Sequence, residues 1–441
     1  MTKVFGPIVT DVTDKTPGIV SLHGVKRKNS INTEITDIMN SKIILVLGSN
    51  FGGATAAMEL KRKLKDEARI IVVSPTENFT FIPSMIWVPF GKRKLSDISF
   101  PIRPIMERQG IEFVKDSAVK VDPELNAVYT EKSGTITYDY LVVATGIQMQ
   151  FDIDNLHPEN GYIENIVIPK YAERALTRFE ELVKEPGPVV VGATQGASCM
   201  GAAYEYLFNM DKELRRRGVR DKVNLVWITP EPFLGHFGIG GIKGGQTMLQ
   251  AFMKMYNIKW HTNASIVKIE KDKIFLKDGS VLPYKMAMIM PPFIGSAAMK
   301  RSPALVNEKG FVICNGGYQH VEYKNVFAVG LAVEVKAPFE CLVPFGAPKT
   351  GYPTEVSAKI AVKNILAALR GEKEFSTQPW GKMPAVCVMD AGHKEVIIFG
   401  DHLFKPRNFA MMIPNVFNHW TKLLIEKYFL FKFRHGWSML P

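Results

Sequence analysis

The chain has 441 residues, too many for one simple core, so two or three packed domains are expected. Hydrophobic residues make up 46% and charged residues 22%, which excludes a disordered or collagen-like chain; four cysteines without a C-x-x-C pair exclude a secreted disulfide scaffold and a structural zinc site, and no metal is expected. Lys plus Arg is 55 against 43 for Asp plus Glu, and the net charge of +12 suits an anionic partner: nucleic acid, an acidic membrane surface or a small anion.

Residues 1–40 read as a mixed polar extension with one short strand suggested at 18–22. They lack the apolar stretch of a secretory signal, so synthesis without a signal peptide is expected. From Lys42 the pattern becomes strand (43–47), glycine turn, helix (54–65) and strand (70–73). That alternation predicts a parallel sheet with covering helices. A mixed strand region follows, ending in Val142-Val143-Ala144-Thr145-Gly146. The same grammar returns in strand 189–191, a second glycine turn, a helix through 202–217 and strand 223–228, which predicts a second nucleotide-binding-type unit. Residues 286–299 are the longest apolar run, too short and too broken by Pro291 and Pro292 to span a membrane. A third block holds a strand (326–329) and a helix (354–369); after Glu374 the chain turns aromatic and rich in Met and Pro. The expected division is 1–40, 41–185, 186–300, 301–374 and 375–441.

The first glycine turn is Gly48-Ser49-Asn50-Phe51-Gly52-Gly53. Between a strand and a helix, it is where a pyrophosphate would rest on a helix N-terminus, glycine allowing close backbone approach. Asn50 stands where the dinucleotide fingerprint wants its second glycine. The acid expected after the second strand is missing: Ser74 follows Val73, and Glu77 is the nearest carboxylate. A plain strand-to-helix turn is the bland alternative.

The second turn, Gly192-Ala193-Thr194-Gln195-Gly196-Ala197-Ser198-Cys199, is more degenerate and places a cysteine at its helix start. A thiol there should have a lowered pKa and be reactive; a small buried hydrophobe is the equal alternative. Cys387 and Cys314 lie in apolar runs that read as buried strands, and Cys341 lies in a loop. In the terminal segment, Trp420, Leu423, Leu424 and Tyr428 form one helical stripe among Lys422, Lys427, Lys432 and Arg434. Such a segment packs inside a partner or inserts into a lipid interface with its cations at the headgroups. A nucleic-acid surface is the remaining reading, and no recognised motif supports it.

Together these residues resemble the sulfide:quinone oxidoreductases, from about Lys42 to Gly436. The carrying stretches are Gly196-Ala197-Ser198-Cys199 with Tyr204-Glu205, Gly235-His236-Phe237-Gly238-Ile239-Gly240-Gly241, Pro348-Lys349-Thr350-Gly351-Tyr352, Cys387, Glu426-Lys427-Tyr428-Phe429-Leu430 and Arg434-His435-Gly436. The resemblance implies an α/β fold: two Rossmann-like domains of the FAD/NAD(P) type plus a C-terminal membrane-associating segment. FAD is expected in the first domain, built from 41–185 and 301–374, and no nicotinamide in 186–300. It implies a redox disulfide between Cys199 and Cys387 that sulfide attacks to leave a persulfide, with Glu205 and His236 handling protons. It implies FAD contacts from Gly48, Asn50, Phe51, Gly52, Gly53, Ser74, Thr145, Gly146, Gly330 and Lys349, the last as a cation by the flavin pyrimidine. Phe345, Gly346, Lys422, Lys427, Tyr428 and Phe429 are the candidate quinone residues. Sulfide, a membrane quinone and the bilayer surface are the expected partners, without nucleic acid, for a peripheral membrane protein expected to form a homo-oligomer.

The sequence also departs from the family. Many members carry a third cysteine after the Ala-Thr-Gly block; here that place holds Val167, and the family histidine four residues on is Tyr171. Gly330 is followed by Leu331 where related flavoproteins have an aspartate. Two rivals stand beside this reading. A type II NADH:quinone oxidoreductase would make both cysteines bystanders and want an acid in the second domain, where Glu231 lies. A flavoprotein subunit passing electrons from sulfide to a cytochrome would normally be exported.

Overall fold

The computed structural model describes residues 42–415 and 419–440. The strand suggested at 18–22 lies outside them. The first strand, β1 (Lys42–Leu47), is buried from Ile44 onward, as a parallel strand covered on both faces must be. Helix α1 (Phe51–Leu64) follows, its N-terminus capped by the Asn50 side chain, whose oxygen accepts the Phe51 N–H at 3.0 Å. Then come β2 (Ala68–Ser74), β3 (Glu112–Lys115), β4 (Tyr140–Val143) and helix α2 (Pro169–Lys184).

The second unit comprises β5 (Val189–Ala193), α3 (Met200–Arg216), β6 (Leu225–Ile228), α4 (Gly245–Met255), β7 (Ile258–His261) and β8 (Met286–Met290). After it come β9 (Val326–Ala328), α5 (Gly351–Leu369), the strands β10 (Ala385–Asp390), β11 (Glu395–Gly400) and β12 (Ala410–Asn415), and helix α6 (His419–Arg434).

The first sheet is parallel in the order β9-β4-β1-β2-β3, with Ile44 paired to Ile70 on one side and Tyr140 on the other. Strand β9 follows the whole second unit in sequence yet completes the first sheet. The second sheet, also parallel, runs β7-β6-β5-β8. The apolar run at 286–299 is thus cut in two: β8, and Phe293–Gly295, which pairs antiparallel with Ile147–Met149 in the connection between the sheets. A third, antiparallel sheet (β10-β11-β12) packs through β10 against α3 and α6.

Helix α6 is inverted in polarity. It buries Lys422, Glu426 and Lys432 and turns Trp420 (68% exposed), Leu424 (66%) and Phe431 (47%) outward. The expected stripe is therefore only partly right: Trp420 and Leu424 share the outer face, while Leu423 and Tyr428 are half-buried. Buried carboxylates explain the inversion. Glu205 receives Lys422, Glu355 receives Lys432, and Glu426 accepts Ser84 Oγ (2.7 Å) and Arg93 Nε (3.0 Å). Among the described residues no helix is long and apolar enough to cross a membrane.

Candidate active site

At the C-terminal end of β1 the backbone comes too close for side chains. Gly48 has φ +108°, and a Cβ there would lie 2.4 Å from the Ala144 carbonyl oxygen. A Cβ on Gly53 would lie 1.9 Å from the carbonyl oxygen of Gly48. The turn therefore sits bare between β2 and β4, the crevice where open α/β sheets bind nucleotides. No acidic residue occupies the first turn of α1, so nothing opposes a pyrophosphate at its positive end.

Ser74 is buried and receives the Ser49 hydroxyl at 2.9 Å, while Glu77 is held by Arg103 (2.8 Å) and Lys115 (2.5 Å). The Thr145 hydroxyl is buried without a partner, beside Gly146 (φ +67°). Gly330 (φ +64°) gives its N–H to Ser357 Oγ at 2.9 Å, and a Cβ there would lie 2.6 Å from the Thr354 side chain. A backbone cradle at a helix N-terminus, with an orphaned hydroxyl at its rim, fits FAD. The Phe51 ring packs among Phe79, Phe81, Phe429 and Phe433, tying the start of α1 to α6. Lys349 donates to the carbonyls of Leu331 (2.9 Å) and Val333 (2.6 Å), 3.3 Å from the centre of the Phe311 ring. Burial pushes its pKa well below the ordinary lysine value, so its first role is to hold the segment after Gly330.

Cys199 is the residue at which α3 begins, and Cys387 lies in the middle of β10. Both are half-buried free thiols. The lowered pKa expected at the helix start is overturned. Burial pushes Cys199 up to about 11; the Ala202 amide opposes it, and Glu205 adds to it. Cys387 is pushed up to about 12 by burial, then by Glu205, against Lys422, and further by Cys199. Desolvation of a thiolate outweighs the helix terminus. The packing of β10 on α3 thus brings the two thiols into one microenvironment, facing the same carboxylate. A thiolate released there is held against its burial and needs a proton nearby.

Glu205 can hold that proton. Burial pushes its carboxyl up to about 7, the neighbouring Lys422 ammonium opposing and Asp390 adding. The Glu205 carboxylate and Lys422 form a buried ion pair. Lys422 bears the opposing cost of burial, but Glu205 and Asp390 still hold its pKa above the usual value. The Lys422 ammonium stands 5.3 Å from the centre of the Trp87 ring. Trp87 Nε1 donates to Asp390 Oδ2 at 2.7 Å, and the Gly392 N–H to Oδ1 at 2.9 Å. Glu395, paired with Asp390 across the β10–β11 ladder, is pushed up to about 7 by burial and by that neighbour. Trp87, Asp390 and Glu395 carry no sequence motif. Only the position of Asp390 at the end of the Cys387 run was a signal.

His236 is buried with Nδ1 unpartnered, between the rings of Phe339 (4.6 Å) and Phe345 (5.0 Å). Burial, reinforced by Lys405 and Arg407, pushes it down to about 4, so it is neutral at pH 7. Phe345 and Gly346 belong to a loop docked on the second glycine turn. Gly196 N–H donates to the Pro344 carbonyl at 2.6 Å and Gly346 N–H to that of Ala197 at 2.9 Å. The candidate quinone residues therefore fall into two groups. Phe345 and Gly346 lie with His236 and Ser198, whereas Lys422, Tyr428 and Phe429 lie on α6, with Phe429 against Phe51 and Phe81. Lys427, also on α6, points outward, 71% exposed.

Glu231, where a nicotinamide ribose would be read, is fully buried and saturated. It accepts from the Phe237 N–H (2.6 Å), Tyr204 hydroxyl (2.8 Å) and Thr229 hydroxyl (2.8 Å).

Two parallel nucleotide-type sheets and a bare glycine cradle define a flavoprotein oxidoreductase of two Rossmann-like domains that uses FAD. The model of the pyridine nucleotide-disulphide oxidoreductase family matches residues 42–340. The chain is 34% identical over 402 residues to the sulfide-quinone reductase of Aquifex aeolicus, spanning 90% of this chain and 92% of that one. The crystal structure of the Aquifex aeolicus sulfide:quinone oxidoreductase superposes with a TM-score of 0.85 at 33% identity over the same shares. The mitochondrial sulfide:quinone oxidoreductase of Dictyostelium discoideum is 29% identical, over 74% of this chain and 72% of that one. The type II NADH:quinone oxidoreductase of Staphylococcus aureus is 24% identical over only 30% of this chain and 33% of its own. The chain belongs to the sulfide:quinone oxidoreductase family.

Proposed function

We propose that this chain oxidises sulfide to polysulfur at Cys199 and Cys387 and reduces a membrane quinone. Bound FAD supplies the two-electron carrier between the substrates, held by the Gly48–Gly53 turn, Thr145, Gly146 and Gly330. The observation that carries the reading is the meeting of Cys199 and Cys387, distant in sequence, before Glu205. In the oxidised pair, hydrosulfide attacks one sulfur of the disulfide; the S–S bond breaks, one cysteine keeps a persulfide and the other leaves as thiolate. Glu205, poised near neutrality, supplies a proton to a buried thiolate and recovers it from incoming sulfide. Lys422 keeps Glu205 in reach and lies on the same helix as Tyr428 and Phe429, toward which the quinone is placed.

The outer face of α6 supports docking on a bilayer. Trp420, Leu424 and Phe431 are exposed on it together with Lys427, as are Phe399 and Ile413 on the third sheet and Phe409 just before its last strand. Exposed aromatic and aliphatic side chains with cations at their margin suit the lipid interface. The saturation of Glu231 speaks against the NADH reading.

The test is anaerobic: sulfide is added to the purified holoprotein, the flavin bands are followed, and a quinone analogue is then added. Bleaching that needs both Cys199 and Cys387, with recovery on quinone, is expected. Bleaching by NADH that is indifferent to Cys199→Ser and Cys387→Ser overturns the reading.

A further inference from the structure

Glu231 takes no part in the sulfur chemistry, yet it is fully buried and both its carboxylate oxygens are engaged. Its contacts converge on the loop that carries His236. One oxygen takes the Phe237 N–H at 2.6 Å, and the other takes the hydroxyls of Tyr204 and Thr229, each at 2.8 Å. Tyr204 in turn accepts the Gly235 N–H at 3.2 Å. Burial pushes the Glu231 carboxyl up to about 7, and the hydrogen bonds of Phe237, Tyr204, Thr229 and the His236 amide oppose it. The amides of residues 235–237 thus gather around one Tyr204–Glu231 pair, an arrangement that binds anions when it stands open. Here the chain's own carboxylate fills it. Phe237 sits at φ +53°, a left-handed conformation that a bulky residue keeps only when its surroundings impose it.

The carbonyl side of the loop is held as well. The His236 carbonyl receives the N–H groups of Ile239 and Gly241, both at 3.0 Å, and Arg407 reaches across to the carbonyls of those two residues at 2.7 and 2.8 Å. Tyr204 is fixed by its stack on Trp227, ring centres 4.1 Å apart, and lies one residue before Glu205 on α3. With its backbone gripped from both sides, His236 has its ring set between Phe339 and Phe345 and its Nδ1 without a partner. Resting on the sulfide-oxidation reading, in which His236 handles protons, we propose that Glu231 and Tyr204 are positioning residues that fix His236 for the reduction of flavin by sulfide. The acid that a nicotinamide enzyme would turn toward a ribose is turned inward here, to order the loop of a proton carrier. Its effect on the reaction passes through His236 and vanishes once the imidazole is removed.

The experiment is a double-mutant cycle on the anaerobic holoprotein, read as the limiting rate of flavin reduction at saturating sulfide. Tyr204→Phe, which removes one hydroxyl and keeps the ring, and Glu231→Met are each expected to slow it by about 10- to 100-fold, the cost of misplacing a reacting group by about 1 Å. Glu231→Gln is expected to recover most of the rate. Its oxygen can keep the Phe237 N–H while the Tyr204 and Thr229 hydroxyls turn to accept from its amide. In a His236→Ala background, Tyr204→Phe and Glu231→Met are expected to change the rate by less than about twofold, the coupling that marks an effect carried by His236. Flavin content and thermal midpoint identify a variant that has lost its fold, and Tyr204→Phe carries the cycle if Glu231→Met is one. Equal slowing with and without His236 overturns the positioning role, as does a wild-type rate in Tyr204→Phe and Glu231→Met or in His236→Ala, and each leaves sulfide oxidation standing. Failure of sulfide to bleach the wild type overturns both.

Discussion

Gly53→Ala is the sharpest probe of the cofactor cradle. The added Cβ lands 1.9 Å from the Gly48 carbonyl oxygen, about 1.5 Å short of ordinary contact. That oxygen is backbone, at a turn pinned by the Gly48 N–H to Val73 (2.8 Å) and the Ala144 N–H to Leu47 (2.9 Å), so it cannot swing aside. Relief requires α1 to move off β1, and the cost lies at or above the top of the ~1–3 kcal/mol seen for overpacked cores. Gly201, in the first turn of α3, has nothing within 4 Å of its Cβ position. The same change there gains up to about 1 kcal/mol from helix propensity. Two chemically identical substitutions thus differ by roughly 3–4 kcal/mol. The assays are the flavin-to-protein absorbance ratio and the thermal midpoint of the holoprotein. Gly53→Ala should lose flavin and melt several degrees lower; Gly201→Ala should keep both. Wild-type flavin content and melting in Gly53→Ala would refute the cradle geometry.

Other outcomes follow from the buried charges and the outer face of α6. Because burial raises Glu205 to about 7, it is a neutral acid below that pH and a carboxylate above it, so sulfide-dependent flavin reduction should inflect near neutrality. Read as the limiting rate at saturating sulfide, where ionisation of the free substrate drops out, stopped-flow pH profiles should lose that inflection in Glu205→Gln. Lys432→Met strips the buried Glu355 of one cation while Lys359 remains 3.0 Å away, so the loss should sit near the lower end of ~3–5 kcal/mol by denaturant melts. Lys427→Ala, at a largely exposed side chain 3.8 Å from a Glu426 already held by Arg93 and Ser84, should shift stability by less than about 0.5 kcal/mol. Trp420→Asp with Leu424→Asp should abolish co-sedimentation with anionic vesicles while leaving sulfide bleaching in detergent intact. Retained vesicle binding would place the membrane face elsewhere.

Much of the fold was legible because its signals are local. The run 43–47, the turn at Gly48 and the helix after it announce a strand, a crossover and a parallel neighbour whatever the rest of the chain does. The second unit repeats that grammar at Val189, and the apolar run 286–299 declares its break at two prolines. The candidate cysteines and Glu205 were visible through family resemblance, but their electrostatics were not. A helix start argues for an acidic thiol at Cys199; packing of β10 on α3 removes water and reverses the sign. Trp87, Asp390 and Glu395 carry no motif, since what joins them is the register of β10 with β11 and the arrival of Lys422 from α6. The polarity of α6 shows the same division. Its residues alone give an ambiguous stripe of aromatics and cations, and only the buried carboxylates of Glu205 and Glu355 decide that the lysines turn inward and Trp420, Leu424 and Phe431 outward. Local periodicity is written residue by residue. Which charges lose their water, and therefore which face remains outside, depends on contacts between segments that no local pattern records.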